Sequence, residues 1–161
     1  LSIRPALAET LLFLDRLAGR AGVTPVLFGT ALLELLGIGD FRAADLDVIV
    51  DAEDARALAA AAGIEPDGEG GNDRFRSQAH LHLRGAPLVI DVMAAMSIAT
   101  ADGWVLYEPR RTGEIEAAGR RFHAVSLDDL GRFYRLAGRD KDRAKIAALE
   151  AAGGGNAAYS I

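Results

Sequence analysis

The sequence predicts an α+β fold: a small mixed β-sheet with helices packed on it, followed by a pair of C-terminal helices. Three observations carry this. Helix-period stripes and short apolar runs alternate as α-β-α-β-α through residues 1–62. The middle of the chain then changes to short alternating or apolar runs joined by tight turns, which reads as mainly antiparallel strands. Two capped helical segments close the pattern.

The elements follow in order. Leu7, Leu11, Leu14 and Ala18 recur at three- to four-residue spacing, the signature of a helix with one buried face, and Gly19 and Gly22 end it. Pro25-Val26-Leu27-Phe28 is too short and too apolar for a helix and reads as a buried strand. A helix over Ala31–Leu36 stops at Gly37 and Gly39. Asp45-Leu46-Asp47-Val48-Ile49-Val50 is the clearest strand, β-branched at its end. Asp51 is placed to cap a helix over Ala52–Ala62, and Gly63 closes it. Asp67–Asp73 reads as a mobile loop of Gly and acids. Arg74–Leu83 and Leu88–Met93 read as a hairpin turning at Arg84-Gly85-Ala86-Pro87. Glu114–Ala117 and Arg121–Val125 read as a second hairpin. Ser126 and Asp129 resemble a capping box for a helix to Ala137. Gly138 stops that helix, and Asp140 is placed to cap a last one to Ala152.

Composition narrows the chemistry. The 161 residues carry no cysteine, which excludes a disulfide framework, a thiolate zinc site, an iron–sulfur cluster and a cysteine nucleophile. No apolar run approaches the length of a bilayer span, and no signal-like segment opens the sequence, so a cytoplasmic protein is the expectation. The net charge of −5 is unevenly distributed: residues 1–109 hold 8 basic and 16 acidic side chains, whereas residues 110–145 hold 10 basic and 6 acidic. Lys141 and Lys145, the two lysines, both lie in the basic segment.

Asp45 and Asp47 flank Leu46 on a strand, so both carboxylates share one face. Side by side they repel and resist burial. They are either a solvated strand end or a pair neutralised by a divalent cation. Mg²⁺ suits the second case, since it takes one or two carboxylates with phosphate oxygens and water. Asp91 interrupts the apolar run Leu88–Met93, either as a paired structural acid or as a ligand. Together the three acids fit a site built from adjacent strands around one or two metals. Gly29-Thr30 stands at a strand-to-helix turn. There a glycine admits a phosphate to the backbone and a hydroxyl with a helix N-terminus holds it, or the pair simply makes a turn and a cap. His80 and His82 flank Leu81 and share a strand face; a polar sheet face is the simpler reading, a metal or acceptor-binding pair the other. Trp104, Tyr107 and Tyr134 read first as core-filling side chains and second as platforms for a base or an aromatic acceptor, and His123 is assigned no role.

Phe28-Gly29-Thr30-Ala31-Leu32-Leu33, followed by Asp45-Leu46-Asp47-Val48-Ile49-Val50 and then Asp91, resembles the nucleotidyltransferase superfamily typified by DNA polymerase β. The likeness is to its Gly-Ser and Asp-x-Asp motifs, spans residues 26 to about 150, and is strongest for small stand-alone bacterial members. These include antibiotic nucleotidyltransferases and the toxins of toxin–antitoxin pairs. Thr30 replaces the usual Ser and keeps the hydroxyl. Tyr134 stands where many members carry a lysine, which shifts a phosphate-binding role toward Arg135, Arg139 or Lys141.

The resemblance implies transfer of a nucleoside monophosphate from a nucleoside triphosphate, such as ATP, to an acceptor hydroxyl, with release of pyrophosphate. It implies two Mg²⁺ ions, replaceable by Mn²⁺, on Asp45, Asp47 and Asp91. Asp91 serves as a ligand or as the acceptor's base. Gly29 and Thr30 hold the β- and γ-phosphates, and Arg139 and Lys141 are candidates to neutralise the nucleotide or the acceptor. The acceptor stays open among small molecules, RNA and protein, and an antitoxin-like partner or a homodimer is an expectation of the same kind. The alternative is a catalytically inactive nucleotide-binding or toxin–antitoxin-type module on the same fold. The expected organisation is a catalytic core at 1–125, a helical extension at 126–152 and a flexible tail at 153–161.

Overall fold

A computed structural model describes residues 2–66 and 70–153. Its elements are α1 (Pro5–Ala21), β1 (Val26–Phe28), α2 (Gly29–Leu36), β2 (Asp45–Val50), α3 (Ala52–Ala62), β3 (Gly70–Gly71), β4 (Phe75–Ser77), β5 (Ala79–Leu83), β6 (Val89–Ala94), β7 (Ser97–Thr100), β8 (Gly103–Leu106), β9 (Thr112–Ala117), β10 (Arg120–Val125), α4 (Leu127–Ala137) and α5 (Asp140–Ala151). The expected tail beyond Gly153 and part of the expected loop, residues 67–69, lie outside the described residues.

The predicted mixed sheet is present. Its six strands run in the order β5-β6-β2-β1-β10-β9. The β1–β10 and β2–β6 pairs are parallel, and the remaining pairs are antiparallel. The parallel pairs are possible because long connections separate their strands: α2 through β9 lie between β1 and β10, and α3 through β5 lie between β2 and β6. One face of β2, β5 and β6 is apolar: Leu46, Val48, Leu81, Ile90 and Val92 are fully buried. Against this face pack α1 and α3, through Leu7, Leu11, Leu14, Leu17 and Leu58, all at most 1% exposed. Each such leucine contributes roughly 1.5–3 kcal/mol by leaving water. The alternation that buries these residues turns Asp45, Asp47, Asp91, His80 and His82 toward the opposite face.

Two parts differ from the sequence reading. Arg74–Leu83 is not one strand. It bends at Gln78, whose N–H donates to Ala94 O at 2.9 Å, and the preceding β4 belongs to a second, antiparallel sheet of order β3-β4-β7-β8. The hairpin of β7 and β8 was not expected, because Ser97–Leu106 lacks a continuous apolar face. Trp104 is 38% exposed on β8 with the Arg76 guanidinium 3.8 Å from its ring centre, so it does not fill the core. Tyr107 and Tyr134 do.

The helix ends follow their caps. Asp54 N–H donates to Asp51 Oδ1 at 2.8 Å, and Asp129 N–H to Ser126 Oγ at 3.1 Å. Helix α2 begins at Gly29 rather than Ala31. Helix α5 is capped by Arg139, not Asp140; the buried Asp142 carboxylate accepts from the Arg139 N–H at 3.3 Å and from its guanidinium at 2.7 and 2.9 Å. Among the described residues no helix is long and apolar enough to cross a membrane.

Candidate functional site

The pleat and the register assemble the acids. In the parallel β2–β6 pair, Asp47 lies directly opposite Asp91, with Asp45 one pleat away on the same face. One carboxylate oxygen from each of Asp45, Asp47 and Asp91 lies within 4.8 Å of the others. On the other side of β2, Phe28 is paired with Asp47, so the β1–α2 turn begins beside that carboxylate. Gly29 occupies φ +75°, and a Cβ there would stand 3.1 Å from Asp47 Cγ and overlap its Oδ2. Only glycine permits both this backbone and this approach.

The electrostatics match the crowding. Burial, then Asp45, then Asp91 push the Asp47 carboxyl up from 3.8 to about 7. Burial is also the main cause holding Asp91 above its usual range, with Asp45 adding to it and His82 opposing. Asp91 Oδ1 is buried and accepts no hydrogen bond. Three carboxylates so placed, one with an orphaned oxygen, are a donor set that suits a hard divalent cation.

The triad forms one wall of a cleft of ≈ 560 Å³, also lined by Gly29, Thr30, His80, His82, Tyr134, Arg139, Lys141 and Lys145. The seven residues to which the resemblance gives a catalytic or nucleotide-binding role, Gly29, Thr30, Asp45, Asp47, Asp91, Arg139 and Lys141, all line this cleft, whereas Arg135 does not. Two details differ from expectation. Arg139 is already held by Asp142 and lies 5.1 Å from the Phe75 ring centre, so its guanidinium is a fixed wall of the cleft rather than a free arm. The cation that reaches the β1–α2 turn is Lys145, whose ammonium donates to Thr30 Oγ1 at 2.8 Å. Its Nζ also lies 5.0 Å from the Tyr134 ring centre. An α5 lysine therefore lies against the ring of Tyr134 on α4. Burial lowers the Lys145 pKa, with Asp142 opposing. In the sequence, only its status as one of two lysines, four residues after Lys141, marks it out.

The two histidines of β5 face Asp91. His82 lies opposite Asp91 across the β5–β6 pair, and His80 opposite Met93. Their Nε2 atoms stand 3.3 and 3.9 Å from Asp91 Oδ1. His123 is elsewhere, 3.7 Å from Glu114.

No family model and no curated protein matches the sequence. Solved structures do match. A candidate nucleotidyltransferase from Thermotoga maritima superposes with a TM-score of 0.66, at 19% identity, over 94% of this chain and 96% of that one. The antibiotic-resistance factor ANT(2'')-Ia, in complex with adenylyl-2''-tobramycin, gives a TM-score of 0.59 at 13% identity, over 91% of this chain and 90% of that one. The lincosamide antibiotic adenylyltransferase LnuA, bound to lincomycin, gives 0.57 at 14% identity, over 93% and 98% of the two chains. At such identities the likeness is one of architecture, and it runs over nearly the whole chain: this protein has the nucleotidyltransferase fold.

Proposed function

We propose that this protein is a metal-dependent nucleotidyltransferase that moves a nucleoside monophosphate from a nucleoside triphosphate to an acceptor hydroxyl. The observation that carries the proposal is the convergence of Asp45, Asp47 and Asp91 within 4.8 Å, beside a Gly29 turn with no room for a side chain. Divalent cations bound by these carboxylates, Mg²⁺ by the chemistry of the ligands, would neutralise the triphosphate and stabilise the attacking and leaving oxygens.

The chain's own residues supply the rest. The N-terminal amides of α2 and the Thr30 hydroxyl bind phosphate oxygens, where the helix dipole favours negative charge. Lys145, already bonded to that hydroxyl, adds a positive charge at the β- and γ-phosphates. Lys141 and the fixed Arg139 line the same wall. Asp91 takes the proton of the acceptor hydroxyl as its oxygen forms a bond to the α-phosphorus. The bond from that phosphorus to the bridging oxygen breaks, and pyrophosphate leaves with the electron pair. The cleft size favours a small-molecule acceptor, and the ANT(2'')-Ia and LnuA structures hold such molecules.

A screen of nucleoside triphosphates against hydroxyl-bearing small molecules and RNA ends tests this, scored by pyrophosphate release and by the mass added to the acceptor. The expected result is Mg²⁺-dependent turnover with at least one pair, abolished in a folded Asp45→Asn variant. Nucleotide binding without any turnover would favour the alternative, an inactive binding module.

A further inference from the structure

His80, His82 and Asp91 form a second ligand set, different in chemistry from the oxygen-only triad. His80 and His82 are successive outward residues of β5, with ring centres 4.3 Å apart. Both imidazoles turn Nε2 toward the same oxygen, Asp91 Oδ1, at 3.9 and 3.3 Å. Donor atoms of the three residues lie within 4.8 Å of one another. Ligand atoms set tetrahedrally about 2.05 Å from a zinc ion stand about 3.3 Å apart; the His82–Asp91 pair already has that spacing, and the His80 ring, at 3.9 Å from the same oxygen, must close inward. The His82 side chain is 39% exposed, which leaves a route of entry from solvent.

We propose that His80, His82 and Asp91 bind one transition-metal ion of the zinc class, at a site joined to the acidic triad through the shared Asp91. Imidazole nitrogens select Zn²⁺, Co²⁺ or Ni²⁺ over Mg²⁺, which demands oxygen donors. Three protein ligands leave a fourth position open to the cleft, where an oxygen of the acceptor can enter. The site stands whether or not the protein transfers nucleotides, because it rests on the histidines alone of the residues outside the triad.

The test is a titration of metal-free, full-length protein with Zn²⁺, read by calorimetry and by the ring-nitrogen NMR signals of its three histidines, with Co²⁺ as a visible-absorption probe. The expected result is one equivalent of Zn²⁺ that shifts the Nε2 signals of His80 and His82 and leaves His123 unchanged. Co²⁺ should give the intense bands of a nitrogen-ligated, low-coordinate ion. Asp45→Asn should retain this binding, a tenfold excess of Mg²⁺ should not displace it, and His80→Asn or His82→Asn should weaken it at least about tenfold. The proposal is overturned if neither histidine signal moves, if Asp45→Asn abolishes binding, or if the histidine variants bind as the parent does. The NMR readout on the unaltered protein keeps the test decisive even if a variant misfolds.

Discussion

Neutralising Asp47 should change how stability depends on pH, and the structure sets the size of the effect. Its carboxyl ionises near pH 7 in the folded chain, against an ordinary value of 3.8. A folded-state pKa raised above the unfolded one means that the protonated form fits the fold. The associated stability is full below pH 4 and is lost as pH rises through about 7. Roughly three powers of ten separate the two values, so the ionised carboxylate costs on the order of 4 kcal/mol well above pH 7. Between pH 5 and pH 8.5 the unaltered protein should lose on the order of 3 kcal/mol relative to Asp47→Asn, with divalent metal removed. Urea denaturation of both proteins at the two pH values, with a chelator present, measures this directly. Saturating Mg²⁺ or Mn²⁺ should then remove most of the difference, because the cation binds the ionised form. Parallel pH dependences for the two proteins would refute the claim that Asp47 is a buried, repelled carboxylate awaiting a cation.

Other expectations can be checked alongside. Gly29→Ala places a methyl against Asp47 and forces a positive φ, so it should cost about 1–3 kcal/mol in denaturation and weaken Mn²⁺ binding measured by calorimetry. Lys145→Met should keep the fold, judged by circular dichroism, and raise the Kd for a non-hydrolysable triphosphate at least about tenfold, with a smaller effect on the monophosphate. Asp129 accepts the Arg110 and Arg111 N–H groups at 2.8 Å each and is paired with Arg132. Although its burial opposes ionisation, these bonds hold its carboxyl below the usual range. Its contribution is therefore present above pH 4 and lost as pH falls through the depressed value. Asp129→Asn should cost about 2–3 kcal/mol at pH 7 and less near pH 2.5.

The acidic centre was legible because its signals are local. Asp45-Leu46-Asp47 shows the period of a strand with one buried residue between two charges, and Asp91 is a lone acid in an apolar run. The Gly29-Thr30 turn was legible for the same reason, between an apolar triplet and a leucine-rich helix. Lys145 was not, since its meaning comes from a hydrogen bond to Thr30, 115 residues away. The histidine pair was visible, but its register with Asp91 was not, because strand pairing is set by turn geometry and packing that the alternation alone does not fix. The second sheet escaped because its strands are short and weakly apolar: Ser97–Thr100 and Gly103–Leu106 meet at an Ala101-Asp102 turn, with Thr100 Oγ1 donating to Gly103 O at 2.9 Å. The local mark of this hairpin is Gly103, at φ +112° immediately after the turn.

The proposed activity is defined by where a triphosphate is cut. With nucleoside triphosphates labelled separately at the α- and γ-phosphorus, the protein and Mg²⁺ should transfer the α-label to an acceptor and release the γ-label within pyrophosphate, and Asp45→Asn should do neither. Transfer of the γ-label to the acceptor, or turnover that persists in the folded Asp45→Asn protein, would contradict it.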